Sequence, residues 1–153
     1  MSLVSTTLDA GVLTVVLERA ERGNALDAAL VSDLRAAVAQ ADDPAVRLLV
    51  LRGAGRALCT GFDVGGIEAE TDASLLSRFV AIELLLQAVR HAPVPTVALG
   101  HGRMFGAGAD LFAAATCGLP TRARGSRFPV RGSGWCWARG GWPPSWARRG
   151  RWR

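Results

Sequence analysis

Apolar and polar residues recur with different periods along the chain, and each change of period marks an element. Residues 3–20, LVSTTLDAGVLTVVLERA, hold two runs rich in valine, threonine and leucine on either side of Asp9-Ala10-Gly11. Glycine accepts a positive φ there, so this pattern predicts a β-hairpin. In residues 24–45 the positions Leu26, Leu30, Leu34, Ala37, Val38 and Ala41 recur every three or four residues, the repeat of one helix face. Asp27 is placed to cap that helix, and Asp43-Pro44 to stop it. Residues 45–53, AVRLLVLRG, form a short apolar run closed by glycine, which suits a buried strand. An irregular stretch, AGRALCTGFDVGGIEAETDA, separates it from SLLSRFVAIELLLQAVRHAP, which is helical in pattern until Pro93. VPTVAL is a second buried strand, and GHGRMFGAGADLFAAATC passes from glycines into an alanine-rich helix. Strands alternating with helices indicate α/β architecture.

Length and charge refine this picture. A chain of 153 residues, half of them apolar, is most simply one globular domain. Its net charge of +5 hides a division. Every basic residue is arginine; residues 1–118 carry nine of them against thirteen carboxylates, and residues 119–153 carry nine against none. An acidic domain is therefore joined to a basic tail, with the boundary at 118. No basic start leads into an apolar run and a cleavage site, and charges break every apolar stretch well short of about 20 residues. Neither secretion nor a membrane span is expected. Cys59, Cys117 and Cys136 lack Cys-x-x-Cys spacing and a nearby histidine pair, which fits unpaired thiols in the cytoplasm and no metal site.

Both buried strands run into glycine-containing turns, LRGAGRALCTGFD and ALGHGRMFGAGAD. Glycine lets backbone N–H groups approach a ligand, and a helix N-terminus adds unpaired donors. Two such turns, if they converge, make an oxyanion hole; they are equally compatible with ordinary strand-to-helix connections. A dinucleotide site would need an acidic residue about 20 positions further on, and no Asp or Glu follows Asp110. A Gly-x-Ser-x-Gly elbow is absent, and His91 and His101, isolated in a helix end and a turn, read as structural.

ERGNALD, LRGAGRALCTGFDV and APVPTVALGHGRMFGAGADL, in this order and spacing, resemble the enoyl-CoA hydratase/isomerase family, also called the crotonase fold. The resemblance covers residues 3–117. It implies an α/β fold of repeated ββα units, here truncated, and assembly as a trimer or a dimer of trimers. It also implies an acyl-CoA thioester as substrate, with no cofactor beyond that CoA. The two N–H groups that hold the thioester carbonyl fall on Phe62 and Ala107. Arg22, Ala25, Leu58, Gly61, Asp63, Val64, Phe105 and Gly106 fall on substrate- and CoA-binding positions. Asp110 stands where family hydratases have a glutamate, one methylene (about 1.5 Å) shorter in reach. It reads either as the acid/base or as a helix N-terminal residue that complements the dipole. The second hydratase glutamate has no counterpart some 20 residues on, so paired-carboxylate hydration is not supported. Isomerisation, thioester hydrolysis, carbon–carbon cleavage and a non-catalytic remnant remain open.

The tail closes with GWCWARGGWPPSWARRGRWR, which contains all five tryptophans. Arginine interleaved with tryptophan suits single-stranded nucleic acid. GGWPP breaks the amphipathic helix that a membrane surface would need. A shifted reading frame explains the loss of acids, the sudden tryptophans and the end of the resemblance together. Tryptophan has one codon, and reading Trp135-Cys136-Trp137-Ala138 from the third codon position forces Val-Leu-Gly, apolar text of the kind the tail lacks. The expectation is therefore a tail that is out of frame or without packed structure, and no nucleic-acid partner. The gene sequence around codons 115–130 checks it: a one-base insertion or deletion there restores an apolar, helix-ready continuation. Tight, steeply salt-dependent binding of single-stranded RNA by a cooperatively folding 153-residue chain is the contrary outcome.

Overall fold

The computed structural model describes residues 2–120; the expectations for the tail beyond Pro120 lie outside the described residues. Five strands form one sheet in chain order: β1 (Val4–Asp9), β2 (Val12–Leu17), β3 (Leu48–Gly53), β4 (Thr96–Gly100) and β5 (Cys117–Pro120). β1 and β2 are antiparallel, and the three later pairings are parallel. Helices α1 (Ala28–Ala39), α2 (Asp72–Arg90) and α3 (Ala107–Ala114) connect the parallel strands. The first unit is thus ββα. Outside the sheet, Leu26 and Phe62 form an isolated parallel bridge that links it to the segment after β3.

The core lies between one sheet face and the helices. Leu13, Val15, Leu17, Leu49, Leu51 and Ala98 from the strands join Leu30, Leu34 and Val38 of α1, Leu85 and Val89 of α2, and Leu111 of α3. All six apolar positions read as the face of the first helix are buried. The strands predicted as buried throughout bury one side only: Leu49 and Leu51 are covered, while Leu48 and Val50 are half-exposed and Arg52 is exposed. Side chains of a strand point alternately to opposite faces, and the helices cover just one of them.

Local chemistry explains most boundaries. The hairpin turn carries positive φ at both Ala10 (47°) and Gly11 (83°), as a two-residue turn matched to strand twist requires. Asp27 is extended and accepts from the Leu30 N–H at 2.8 Å, a side-chain N-cap. α1 closes with a 3₁₀ turn, Gln40–Asp42, before the extended Asp43 and Pro44.

The chain departs from the pattern at its end. The alanine-rich helix stops at Ala114 instead of continuing to Cys117, and β5 crosses the compositional boundary at 118. Thr116 turns the chain into the sheet: its N–H donates to Thr96 Oγ1 at 2.7 Å, and Cys117 then pairs with Val97. Strand pairing here outweighs the helical preference of three alanines.

One buried polar residue sets the path of the irregular segment. Asn24 is fully buried at φ 56°. Its Oδ1 accepts from the Arg19 N–H at 2.9 Å, and its Nδ2 donates to the carbonyls of Ala54 (3.0 Å) and Ala57 (2.8 Å). The end of the hairpin is thereby tied to the loop after β3. Asn24→Ala strands one donor and two acceptors away from water, and should cost on the order of 3 kcal/mol. Urea unfolding of the two proteins measures that loss.

Candidate carbonyl-binding site

The loops that follow β3 and β4 meet backbone to backbone. A Cβ on Gly108 would lie 2.3 Å from the Cys59 carbonyl oxygen and 2.8 Å from the Gly61 nitrogen. One on Gly61 would lie 2.4 Å from the Phe105 carbonyl oxygen. Such distances exclude a side chain on either side of the contact. Gly106, the N-cap of α3, instead needs glycine for its conformation, φ 45° and ψ −125°, since nothing crowds its Cβ position.

Peptide geometry then aims two N–H groups. In a trans peptide the C=O and the following N–H point in opposite directions. The Gly61 carbonyl accepts from the Leu26 N–H at 2.8 Å, so the Phe62 N–H is directed away from Leu26. The Gly106 carbonyl accepts from the N–H groups of Ala109 and Asp110, at 2.9 and 3.0 Å. The Ala107 N–H, first of its helix, therefore points out of the N-terminus of α3. Among the hydrogen bonds of the described residues, neither the Phe62 nor the Ala107 N–H serves as a donor.

Asp110 lies in the first turn of α3, half-buried, without an ion-pair partner among the described residues. Burial holds its carboxyl above the ordinary value of 3.8, and the Glu83 carboxylate of α2 adds to the rise. Asp63 shows the opposite behaviour. The Gly65 N–H donates to its Oδ1 at 2.9 Å and Arg19 Nη1 lies 2.6 Å from its Oδ2; together, the Gly65 bond first, they hold it below the ordinary range. Cys59 is buried beneath the contact and its thiol is pushed up to about 12 by burial, so it is no nucleophile.

The remaining residues singled out from the sequence fall in different places. Arg22 and Asp63 line an open groove of about 450 Å³ beside Arg19, Arg78 and Gly66. Ala25 is nearly buried, its carbonyl accepting from Arg19 Nη1 at 2.8 Å. Val64 and Phe105 are exposed, and the Arg103 guanidinium lies 5.0 Å over the Phe105 ring. Leu58 is wholly buried in the core, with its N–H bonded to the His101 carbonyl, so its side chain packs against the protein. A larger groove of about 560 Å³, between the C-terminal ends of α1 and α2, includes Arg35 and His91 and none of these residues. The His101 ring lies within 3.4 Å of the Leu99 and Gly55 carbonyls, a structural tie. Among the described residues no cluster of His, Cys, Asp or Glu could hold a metal, and no helix is long and apolar enough to cross a membrane.

The sequence reading passed over Arg19, Asn24, Glu70, Arg78 and Glu83. A signal existed for Arg78 and Glu83, since each interrupts the apolar run LLSRFVAIELLL. The groups they meet at the site, Phe62 and Asp63 for Arg78 and Asp110 for Glu83, lie at distances along the chain that no local period links.

The profile of the enoyl-CoA hydratase/isomerase family matches residues 12–124. A Rhodobacter capsulatus protein carrying the name Probable enoyl-CoA hydratase is 41% identical over 108 residues, 69% of this chain and 40% of its own length. Enoyl-CoA hydratase AFT6-1 of Alternaria alternata is 38% identical over 103 residues, 67% of this chain and 34% of its own length. A crystal structure from Bordetella parapertussis, described as an enoyl-CoA hydratase/isomerase, superposes with a TM-score of 0.73 at 43% identity. It covers 76% of this chain and 50% of that one. The matched part of the chain spans less than half the length of these curated relatives.

Asp110 generates a pH dependence of defined sign. Its folded carboxyl holds the proton more tightly than the unfolded one. The folded state therefore loses stability as pH rises from the unfolded value, about 3.9, through the raised folded one, and the loss is complete above it. Asp110→Asn should melt higher than the parent at neutral pH. The gap should close as pH falls below 4 and stay constant once the folded group has ionised. Melting curves of both proteins between pH 3 and pH 8 measure it.

Proposed function

Since the chain belongs to the enoyl-CoA hydratase/isomerase family, we propose that the Phe62 and Ala107 N–H groups hold the thioester carbonyl of an acyl-CoA. The observation that carries this reading is a pair of donors without acceptors among the described residues, on backbone segments packed too closely for a side chain. Negative charge grows on the thioester oxygen when a proton leaves the neighbouring carbon. Two fixed N–H dipoles, one of them at a helix N-terminus, stabilise that enolate without having to reorient.

Asp110 is the acid/base of this reading. Asp110 stands three residues beyond Ala107, in the first turn of the same helix, and burial raises its proton affinity. A single carboxylate that removes a proton and returns it elsewhere suits isomerisation of an enoyl-CoA better than addition of water. Arg22, exposed at the edge of the groove, supplies a cation for a CoA phosphate, whereas Arg19 and Arg78 there are paired with Asp27, Asp63 and Glu70; the reading calls for no cofactor beyond that CoA. The family assembly, a trimer or a dimer of trimers in the cytoplasm, belongs to the same proposal, without membrane or nucleic-acid partners.

Calorimetry with two matched ligands tests the carbonyl site. Butyryl-CoA and its S-butyl thioether analogue differ only by the carbonyl oxygen. Butyryl-CoA should bind roughly tenfold tighter, the effect of about 1–1.5 kcal/mol from its added hydrogen bonds. Asp110→Asn should preserve that preference while abolishing turnover of a 3-enoyl-CoA. Equal affinity of the two ligands for the parent protein overturns the reading.

A further inference from the structure

We infer that Arg78 is a positioning residue of the carbonyl site: from α2 it fixes the Phe62–Asp63 segment and thereby the direction of the Phe62 N–H. The inference rests on the carbonyl reading above. Three contacts converge on one guanidinium. Its carbon lies 4.1 Å from the centroid of the Phe62 ring, its Nη2 donates to the Asp63 carbonyl at 2.6 Å, and its Nη1 pairs with the Glu70 carboxylate. The side chain is 12% exposed, so these contacts operate largely out of water. The next residue, Phe79, stacks on the same Phe62 ring, with centroids 4.9 Å apart and planes 18° from parallel.

The opposite side of the segment is held by Leu26. Its N–H donates to the Gly61 carbonyl and its own carbonyl accepts from the Asp63 N–H at 3.1 Å. Phe62 is thus gripped through the peptides on either side of it by Leu26, and through its ring and the Asp63 carbonyl by Arg78. Removing the Arg78 grip leaves the segment free to pivot about the Leu26 bridge. The N–H would then swing relative to an acceptor, and hydrogen bonds weaken steeply with misalignment.

Only arginine meets all three demands. A planar fork donates in two directions while its face lies on an aromatic ring, whereas lysine presents a point charge. Glu70 keeps the fork in place and is itself braced by the Ser74 hydroxyl at 2.9 Å. With Nη1 and Nη2 both directed to protein groups, Arg78 acts through Phe62 and not on the ligand.

Infrared spectroscopy of carbonyl-¹³C butyryl-CoA bound to the full chain tests this, with thioether affinity as the control. In the parent the bound carbonyl stretch moves to lower frequency than in free ligand. Arg78→Lys and Arg78→Gln should lose at least half of that shift and broaden the band, with thioether affinity held within about twofold. Glu70→Gln, which keeps the arginine but loosens it, should lose less, and it decides the matter if the Arg78 variants do not fold. An unchanged shift in the folded variants overturns the inference, as does a loss of thioether affinity with the shift intact, which would make Arg78 a ligand contact. A parent without any shift fails the carbonyl reading itself.

Discussion

Two backbone segments that touch where no Cβ can fit decide the arrangement of everything around them. Gly61 and Gly108 bring the loop after β3 against the start of α3. A methyl group on Gly108 would meet main-chain atoms, which cannot swing aside as the end of a side chain can. Because β3 and β4 are parallel neighbours, both loops leave the sheet at the same end. The glycines convert that proximity into contact. The N-terminus of a helix then lies against the Gly61–Phe62 peptide, whose N–H has no acceptor among the described residues.

Such a contact has to be supported, since residues 54–66 have no strand or helix of their own to hold them. Polar side chains supply the support from several directions. Asn24 holds the Ala54 and Ala57 carbonyls, Arg19 reaches Asp63 and the Ala25 carbonyl, and Arg78 grips Phe62 and Asp63 from α2. Among the described residues every buried side-chain nitrogen or oxygen has a partner. An irregular loop at the base of a site can be rigid when its carbonyls are satisfied in this way.

Two carboxylates are set apart by their environments. Asp63 accepts from a backbone N–H and an arginine, which stabilise its charge and bind it into the scaffold. Asp110 has no such donor among the described residues; burial and Glu83 both favour its neutral form. One fold thus holds one carboxylate firmly charged and raises the proton affinity of the other. The second carboxylate near Asp110 is on α2, which local pattern reading treats as part of an apolar helix.

What was legible along the chain was what neighbouring residues decide. The hairpin followed from Gly11, the first helix from the spacing of Leu26 to Ala41 and the Asp27 cap, and the two glycine turns from their position after apolar runs. Periods and turn chemistry act over a few residues, so they are written locally. Asp110 was also readable, as a carboxylate at a helix start, though its raised proton affinity was not. The conversion of Thr116–Pro120 into β5 depends on a free edge of β4, and the contacts of Arg78 with Phe62 and of Asn24 with Ala57 join residues brought together by packing. No interval of three, four or two residues connects those partners. The elements up to β4 and the glycines were determined by the sequence alone; β5, the N–H groups left without acceptors among the described residues, and the side chains that hold them in place were decided by the tertiary structure, because those contacts exist only once the sheet has set its strand order.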